Sequence, residues 1–323
     1  MESETVLKGR NVFVTGGTGL VGSHLVEALV KAGAHVTVLF REANPKSYFF
    51  SRELNKKVIL ANGDLKDFGR IFDIISKREI EYIFHIGAQP IVATAYLNPR
   101  ETLESNIMGT VNVLESARLY GKVKGIIVAS SDKAYGKTST EYTEESPLKG
   151  DHPYDCSKSC TDLITNTYFK TYHLPVVTAR FGNIYGPGDL NFNRIIPGII
   201  DTLLQKRSLE IRSDGRMVRD YVYVKDVVNG YLLLANNIET IQGEAFNFSS
   251  QDNLSVLDLL AKIETILGQK IDYKVLNIAK NEIPYQKLDY SKVQKMLGWT
   301  PNYDLVKAIP ETYQWYQRQM QSI

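Results

Sequence analysis

The stretch VASSDKAYG (128–136) sets Ser130, Ser131, Asp132 and Lys133 where an apolar run stops, and YDCSK (154–158) begins eighteen residues after Gly136. Tyr154 and Lys158 are four apart, so a helix puts them on one face. A cation beside a phenol favours the phenolate and brings its pKa toward working pH. Such a tyrosine can take or give a proton at a substrate hydroxyl, with Ser131 holding that hydroxyl from the other side. Each element also has a plain reading, because Tyr-x-x-x-Lys arises by chance and serines often cap strand ends. Asp132 and Lys133 raise a second question: an acid and a base side by side either work as a pair or merely cap an exposed strand end.

The stretch TGGTGLVGSHL (15–25) follows the first apolar run and opens a helical pattern. Gly16, Gly19 and Gly22 then serve a tight turn, a close backbone approach to a pyrophosphate, and close helix–sheet packing. In that position the glycines predict a bound dinucleotide. With a nicotinamide present, proton transfer at Tyr154 would accompany hydride transfer. The second strand ends VLFRE, with Phe40 where an acid would accept the ribose hydroxyls of NAD. Arg41 next to it suits a 2′-phosphate and tilts the expectation toward NADP. Asp64, in NGDL, would either accept from the adenine amine or cap the next helix.

These residues need a scaffold. NVFVT (11–15), HVTVL (35–39), KVILA (57–61), YIFHI (82–86), GIIVAS (125–130) and PVVTARF (175–181) read as strands. Helical patterns separate them near 20–32, with Leu20, His24, Leu25, Ala28 and Leu29 on one face, and near 67–77, 100–120 and 154–172. This alternation predicts an α/β fold with a doubly wound parallel sheet. After Phe181 the texture changes: GNIYGPGDLNFNRIIPG reads as a long loop leading to a helix. A smaller second lobe is expected beyond it, with 225–249 returning to the large one. The site should lie between the lobes, at the carboxyl ends of the strands.

The 323 residues carry a net charge of +2, which advertises neither nucleic acid nor an anionic membrane. No apolar run is long enough to span a bilayer, and MESETVLKGR lacks a signal peptide's apolar segment, so a cytoplasmic protein is expected. Cys156 and Cys160, the only cysteines, read as reduced packing thiols. No His or carboxylate cluster joins them, so no metal is expected.

Seven stretches in order resemble the extended short-chain dehydrogenase/reductases of the nucleotide-sugar epimerase/dehydratase group: TGGTGLVGSHL, HIGAQPIV, NIMGTVNVLESAR, YDCSK, RFGNIYGPGD, RDYVYVKDVVNGYLLLA and LGWTP. The resemblance covers nearly the whole chain. It implies a Rossmann-type domain over 1–180 plus about 225–249, and a nucleotide-sugar lobe over 181–224 and 250–323. It implies a tightly held, recycled NAD(P) against Gly16, Gly19, Leu20, Gly22, Arg41, Asp64, Leu65, Ala88, Asn106, Tyr154 and Lys158. It makes Ser131, Tyr154 and Lys158 the catalytic trio. For a nucleoside-diphosphate sugar it implies Gln89, Tyr96, Asn183, Arg194, Pro197, Arg212, Arg219 and Asp289. Arg219 beside Asp220 suits a diphosphate clamp or, more plainly, a surface ion pair. The helices near 100–120 and 154–172 resemble those of a four-helix homodimer interface.

Within this group, C4 epimerases and 4,6-dehydratases share oxidation at C4. Only the dehydratases then need an acid and a base near C5 and C6. The Ser-Asp-Lys form resembles CDP-glucose 4,6-dehydratases, which implies Asp132 as acid to the departing O6 hydroxyl and Lys133 as base at C5 or as the anchor of the water that takes that proton. The two roles could also be reversed or shared. The glycine loop departs from that pattern, reading GGTG in place of Gly-His-Thr-Gly, and RSDGRMVRDYVYVKDVV resembles epimerases and GDP-mannose dehydratases. CDP is thus the first expectation, with UDP, GDP and an N-acetylated sugar left open. A 4-epimerase is the alternative. A non-catalytic dinucleotide-binding regulator is the third reading, disfavoured because Tyr154 and Lys158 are both present.

Overall fold

The computed structural model describes residues 5–138, 140–278, 283 and 285–321. Six strands come from the expected runs: β1 (Asn11–Thr15), β2 (His35–Phe40), β3 (Ile59–Asn62), β4 (Tyr82–His85), β5 (Gly125–Ala129) and β6 (Val176–Phe181). Later come β7 (Asn183–Tyr185), β8 (Leu209–Ile211), β9 (Val218–Tyr223), β10 (Ala245–Phe248), β11 (Asn253–Ser255) and β12 (Tyr273–Val275). Seven of these form one parallel sheet in the order β10-β6-β5-β4-β1-β2-β3. Both faces are covered, so the strands read as continuous apolar runs. Along β1, Val12 and Val14 join one buried cluster while Phe13 joins the cluster on the opposite face.

The strand order reverses between β1 and β4, and their last residues, Thr15 and His85, lie side by side. Loops leaving these neighbours diverge in opposite directions, and the gap between them is where an open α/β sheet receives its ligand.

A third apolar cluster lies outside the large sheet. It joins Tyr185, Ile196, Ile199, Tyr221, Tyr223, Leu259 and Ile309. The segment expected as one long loop after Phe181 contains β7, which pairs in parallel with β9, and β11 completes that small sheet. The helix after it begins at Ile195, so Pro197 falls in its first turn, where a missing N–H removes no helical bond.

Two helices also differ from expectation. The pattern near 100–120 is not one uniform helix: Pro99–Leu103 and Gly109–Tyr120 flank a π-helical turn, Glu104–Met108. The helix expected near 67–77 is capped by Asp67, whose side chain accepts from Arg70 N. Asp64 therefore is not its cap. No helix among the described residues is long and apolar enough to cross a membrane.

Candidate active site

The glycine loop ends β1 as a tight turn. Gly16 has φ +70°, and a Cβ there would come within 2.7 Å of Gly87. A Cβ on Gly22 would meet the Gly16 carbonyl oxygen at 2.0 Å, so Gly22 lets the helix close onto the loop itself, where helix–sheet packing was expected. Gly19 caps the helix Leu20–Lys31 with no side-chain hydrogen bond, and no acid occupies the first turn. A Cβ on Gly19 would meet nothing closer than 3.5 Å. Free amides and an open approach at a helix N-terminus suit a pyrophosphate, so these residues fit a dinucleotide.

The loops after β3 and β4 close around this turn. Leu65 packs where a Cβ on Gly109 or Gly87 would fall, and its carbonyl accepts from Asn112 Nδ2 at 2.8 Å. Asp64 accepts from Lys66 N at 2.9 Å and pairs with Arg41 at 3.5 Å. Asn106, in the π-helical turn, binds both backbone groups of Gln89, at 2.7 and 3.2 Å, and donates to Ser157 Oγ at 2.9 Å. The π-turn thus ties the loop carrying Ala88 and Gln89 to the helix carrying Tyr154. The Gln89 side chain folds back onto Ile91.

Beneath the crevice, Thr110 Oγ1 donates to Asn106 O (2.6 Å) and so accepts from His85 Nε2 (3.1 Å). His85 Nδ1 then accepts from Thr15 Oγ1 (2.8 Å), which accepts from Gly87 N (3.0 Å). The partners assign the tautomer. Burial, then Lys158, holds the His85 pKa down at about 3, so the ring is neutral. Sequence reasoning passed over this chain because its members are scattered from residue 15 to 110.

Tyr154 and Lys158 are both buried on the helix Pro153–Tyr172, which His152 caps. Lys158 Nζ donates to Ala129 O at 2.7 Å. Burial lowers its pKa to about 8, partly offset by Asp162 one turn further on. The expected lowering of the Tyr154 pKa is not present here. Burial raises it, Asp132 adds to the rise, and Arg194 and a Ser131 hydrogen bond oppose it. The lysine is turned toward the β5 carbonyl, so desolvation dominates the phenol.

The Asp132–Lys133 doublet is not an exposed strand cap. It opens a 3₁₀ turn, Asp132–Tyr135, with Ser131 as N-cap accepting from Lys133 N. Asp132 is 1% exposed. Its Oδ1 accepts from Ser131 Oγ at 2.8 Å and lies 3.6 Å from Lys133 Nζ, while Oδ2 accepts from Gln286 Nε2 at 3.2 Å. Lys133 Nζ also reaches Asn183 Oδ1 at 3.5 Å, and Asn183 Nδ2 is buried with no partner. An unpartnered buried amide in a cleft calls for an acceptor on a ligand. Two further carboxyls share this field. Burial raises Asp155 to about 6 and Asp220 to about 7, and Asp132 adds to both.

The remaining substrate candidates are distributed unevenly. Arg194 pairs with Asp189 at 3.1 Å and is close enough to act on Tyr154. Pro197 is buried one turn along. Arg219 donates to Ile283 O at 2.7 Å and to Val218 O at 3.0 Å. Asp220, its neighbour in the strand, faces the opposite way. Asp220 is fully buried and held by Ser249 and Ser250. Arg212 binds Asn193 at 3.1 Å. Tyr96 is largely exposed and stacks on His152. Asp289 accepts from Ser291 N at 2.7 Å and from Ser291 Oγ at 3.0 Å.

Behind the Asp132–Tyr135 turn lies a network that sequence reasoning missed. Asp162 binds Ser130 Oγ and accepts from Arg180 Nε and Nη2 at 2.9 and 2.7 Å. Arg180 Nη1 donates to Tyr135 Oη at 2.6 Å, and Tyr135 donates to Asn247 at 2.7 Å. The spacing of Tyr154, Lys158 and Asp162 by fours was the available signal for the first member. Cys156 and Cys160 are free and half-buried on the same helix.

Comparison with known proteins follows this geometry. A model of the GDP-mannose 4,6 dehydratase family matches residues 13–312. A CDP-glucose 4,6-dehydratase of Salmonella typhimurium is 31% identical, over 96% of this chain and 91% of that one. The dTDP-glucose 4,6-dehydratase of Streptomyces venezuelae, solved with NAD bound, superposes with a TM-score of 0.86 at 26% identity, covering 97% of this chain and 98% of that one. The UDP-glucose 4-epimerase of Thermotoga maritima, solved with UDP-glucose, gives a TM-score of 0.86 at 29% identity, covering 96% and 99%.

Proposed function

The chain belongs to the GDP-mannose 4,6 dehydratase family of extended short-chain dehydrogenase/reductases, and on that premise we propose that it is a nucleotide-sugar 4,6-dehydratase. The observation that carries the reading is the buried Asp132–Lys133 doublet, oriented by Ser131, Asn183 and Gln286. A 4-epimerase has no use for an acid and a base held this way.

A dinucleotide, when bound, would supply reversible storage of the hydride that leaves C4 and is needed at C6. Gly16, Gly19 and Gly22 with the Leu20–Lys31 helix would hold its pyrophosphate, and Lys158 its nicotinamide half. Tyr154 takes the proton of the C4 hydroxyl, which Ser131 orients, and must first lose its own proton against the raised pKa that burial gives it. Water loss then needs proton traffic at C5 and C6. Asp132 gives its proton to O6 as the C6–O bond breaks, and Lys133 takes the proton from C5 as the C5–C6 double bond forms. Asp132 ends as a carboxylate and Lys133 as an ammonium, and Lys133 returns a proton, exchanged with solvent, to C5 as hydride reaches C6. Arg194, Arg219 and Asn183 face the nucleotide sugar in this reading, with residues 181–224 and 250–323 as its lobe. CDP-glucose is the first substrate to test, ahead of UDP- and GDP-sugars.

The cofactor is NAD(P). Arg41 draws a 2′-phosphate, while Asp64 beside it repels one, so a preference for NADP rests on how fully their pair opens. A homodimer through the helices of 92–120 and 153–172, in the cytoplasm, completes the reading.

Incubation with CDP-, UDP-, GDP- and dTDP-glucose in D2O, read by NMR, tests the activity. A 4-keto-6-deoxy product with deuterium at C5 is expected. A C4 epimer that keeps its carbon-bound protons would sink the dehydratase and favour the alternative, for which the Thermotoga maritima epimerase is the structural precedent. Asp132→Asn should lower dehydration by about 10²-fold or more while C4 oxidation persists.

A further inference from the structure

We propose that Gln286 is a positioning residue for the water-loss step, holding the carboxyl of Asp132 from a segment 154 residues away. The proposal rests on the dehydratase reading above. Asp132 Oδ1 is engaged from its own turn, by Ser131 Oγ at 2.8 Å. A carboxyl held at one oxygen can still swing about its side-chain torsions. Gln286 Nε2 takes the other oxygen at 3.2 Å and fixes the plane of the group.

Gln286 is itself well placed to do this. It is 2% exposed, and its backbone is clamped on two sides. Gln286 N donates to Val218 O at 3.2 Å, and Tyr285 bridges to Val218. On the other side, Leu288 bridges to Tyr142, Tyr142 N donates to Lys287 O at 2.9 Å, and Asp289 N donates to Tyr142 O at 2.8 Å. The same segment receives Arg219 at Ile283 O. Gln286 therefore links the strand carrying Arg219 to the acid that acts at O6. Seating of the nucleotide sugar against that strand and alignment of the acid become one event.

The choice of an amide is informative. Asp132 already lies close to Tyr142, Tyr154, Asp155 and Asp220, with the Lys133 amine 3.6 Å from its Oδ1. Gln286 adds a donor without adding a charge. A carboxylic acid in its place would share a proton with Asp132, because two carboxylates that close cannot both ionise freely.

The test uses the cofactor-loaded enzyme in single turnovers, with whichever of CDP-, UDP-, GDP- or dTDP-glucose the wild type dehydrates. Two signals are followed: absorbance of reduced nicotinamide for C4 oxidation, and the 4-keto-6-deoxy product for water loss. Gln286→Leu should slow product formation by about 10²-fold and leave oxidation within a few-fold of wild type. Gln286→Glu, which keeps size and contact, should move the alkaline limb of the dehydration pH profile upward, because Asp132 works protonated and a shared proton keeps it so to higher pH. A purely structural role would not move that limb. Product formed at the wild-type rate by the leucine variant overturns the proposal. So does a parallel fall of both steps in both variants with an unshifted profile. A wild type that yields only a C4 epimer would instead remove the dehydratase reading beneath it.

Discussion

Asp220 follows Arg219 in β9 yet points into the protein, where Ser249 and Ser250 supply its hydrogen bonds. Burial leaves its pKa raised, to about 7. An acid whose folded pKa is raised stabilises fully below its unfolded pKa and loses that contribution as pH climbs through the folded value. For Asp220 the window runs from about pH 4 to about pH 7. Asp220→Asn cannot ionise, so its stability relative to wild type should improve by about 2–3 kcal/mol between pH 5 and pH 8. Urea unfolding at the two pH values reads this directly, and an equal difference at both would show that the carboxyl is not the titrating group. At the other end of the crevice, Arg41 pairs with Asp64 across the ends of β2 and β3. Arg41→Ala should weaken NADPH binding about tenfold and NADH binding little, by fluorescence titration. Equal losses would assign Arg41 to the adenine or to neither.

The helix carrying Tyr154 is anchored by a buried ion pair one turn beyond Lys158. Arg180 and Asp162 are 7% and 3% exposed at their side chains. Removing one partner of such a pair leaves an uncompensated charge, which costs about 3–5 kcal/mol. Asp162→Asn should therefore lower the urea midpoint strongly, and the added Arg180→Met should recover part of the loss. A double variant no more stable than the single one would place the cost elsewhere than in the orphaned guanidinium. At this scale the sequence was readable where periodicity is local. The Tyr-x-x-x-Lys face, the six strand runs and the glycine turn all show in a window of a few residues. The π-turn at Asn106 did not show, because its extra residue leaves the surrounding helical pattern almost unchanged. β7 was hidden inside a Gly-, Asn- and Pro-rich stretch, since three residues carry too little alternation to register. Gln286 left no local signal at all: its meaning comes from an acid 154 positions away.

Across the whole molecule, apolar exposure is concentrated. Single exposed apolar side chains are ordinary on a protein surface, whereas a gathering of them asks for a partner. Tyr96, Leu97, Met108, Leu119, Leu163 and Tyr172 all project from residues 92–120 and 153–172. The two stretches are neighbours, joined by Tyr168 Oη to Glu115 at 3.1 Å and by Arg118 over the Tyr172 ring. Leu97 is 85% exposed, more than any other large apolar side chain among the described residues. A second copy of the chain would cover these groups, and the helices that carry Tyr154 and Asn106 would then be braced by the partner. Sedimentation should give a particle of twice the 36.4 kDa chain mass. Leu97→Glu and Leu163→Glu should shift it toward monomer by placing charges in the contact. Val306→Glu, as exposed as Leu163 but on the helix Leu305–Gln321, should leave it dimeric. A monomeric wild type at micromolar concentration, or a dimer untouched by either leucine substitution, would move the interface off these helices. Loss of turnover in step with loss of the dimer would tie the firmness of the helix carrying Tyr154 to assembly, a dependence that no single protomer displays.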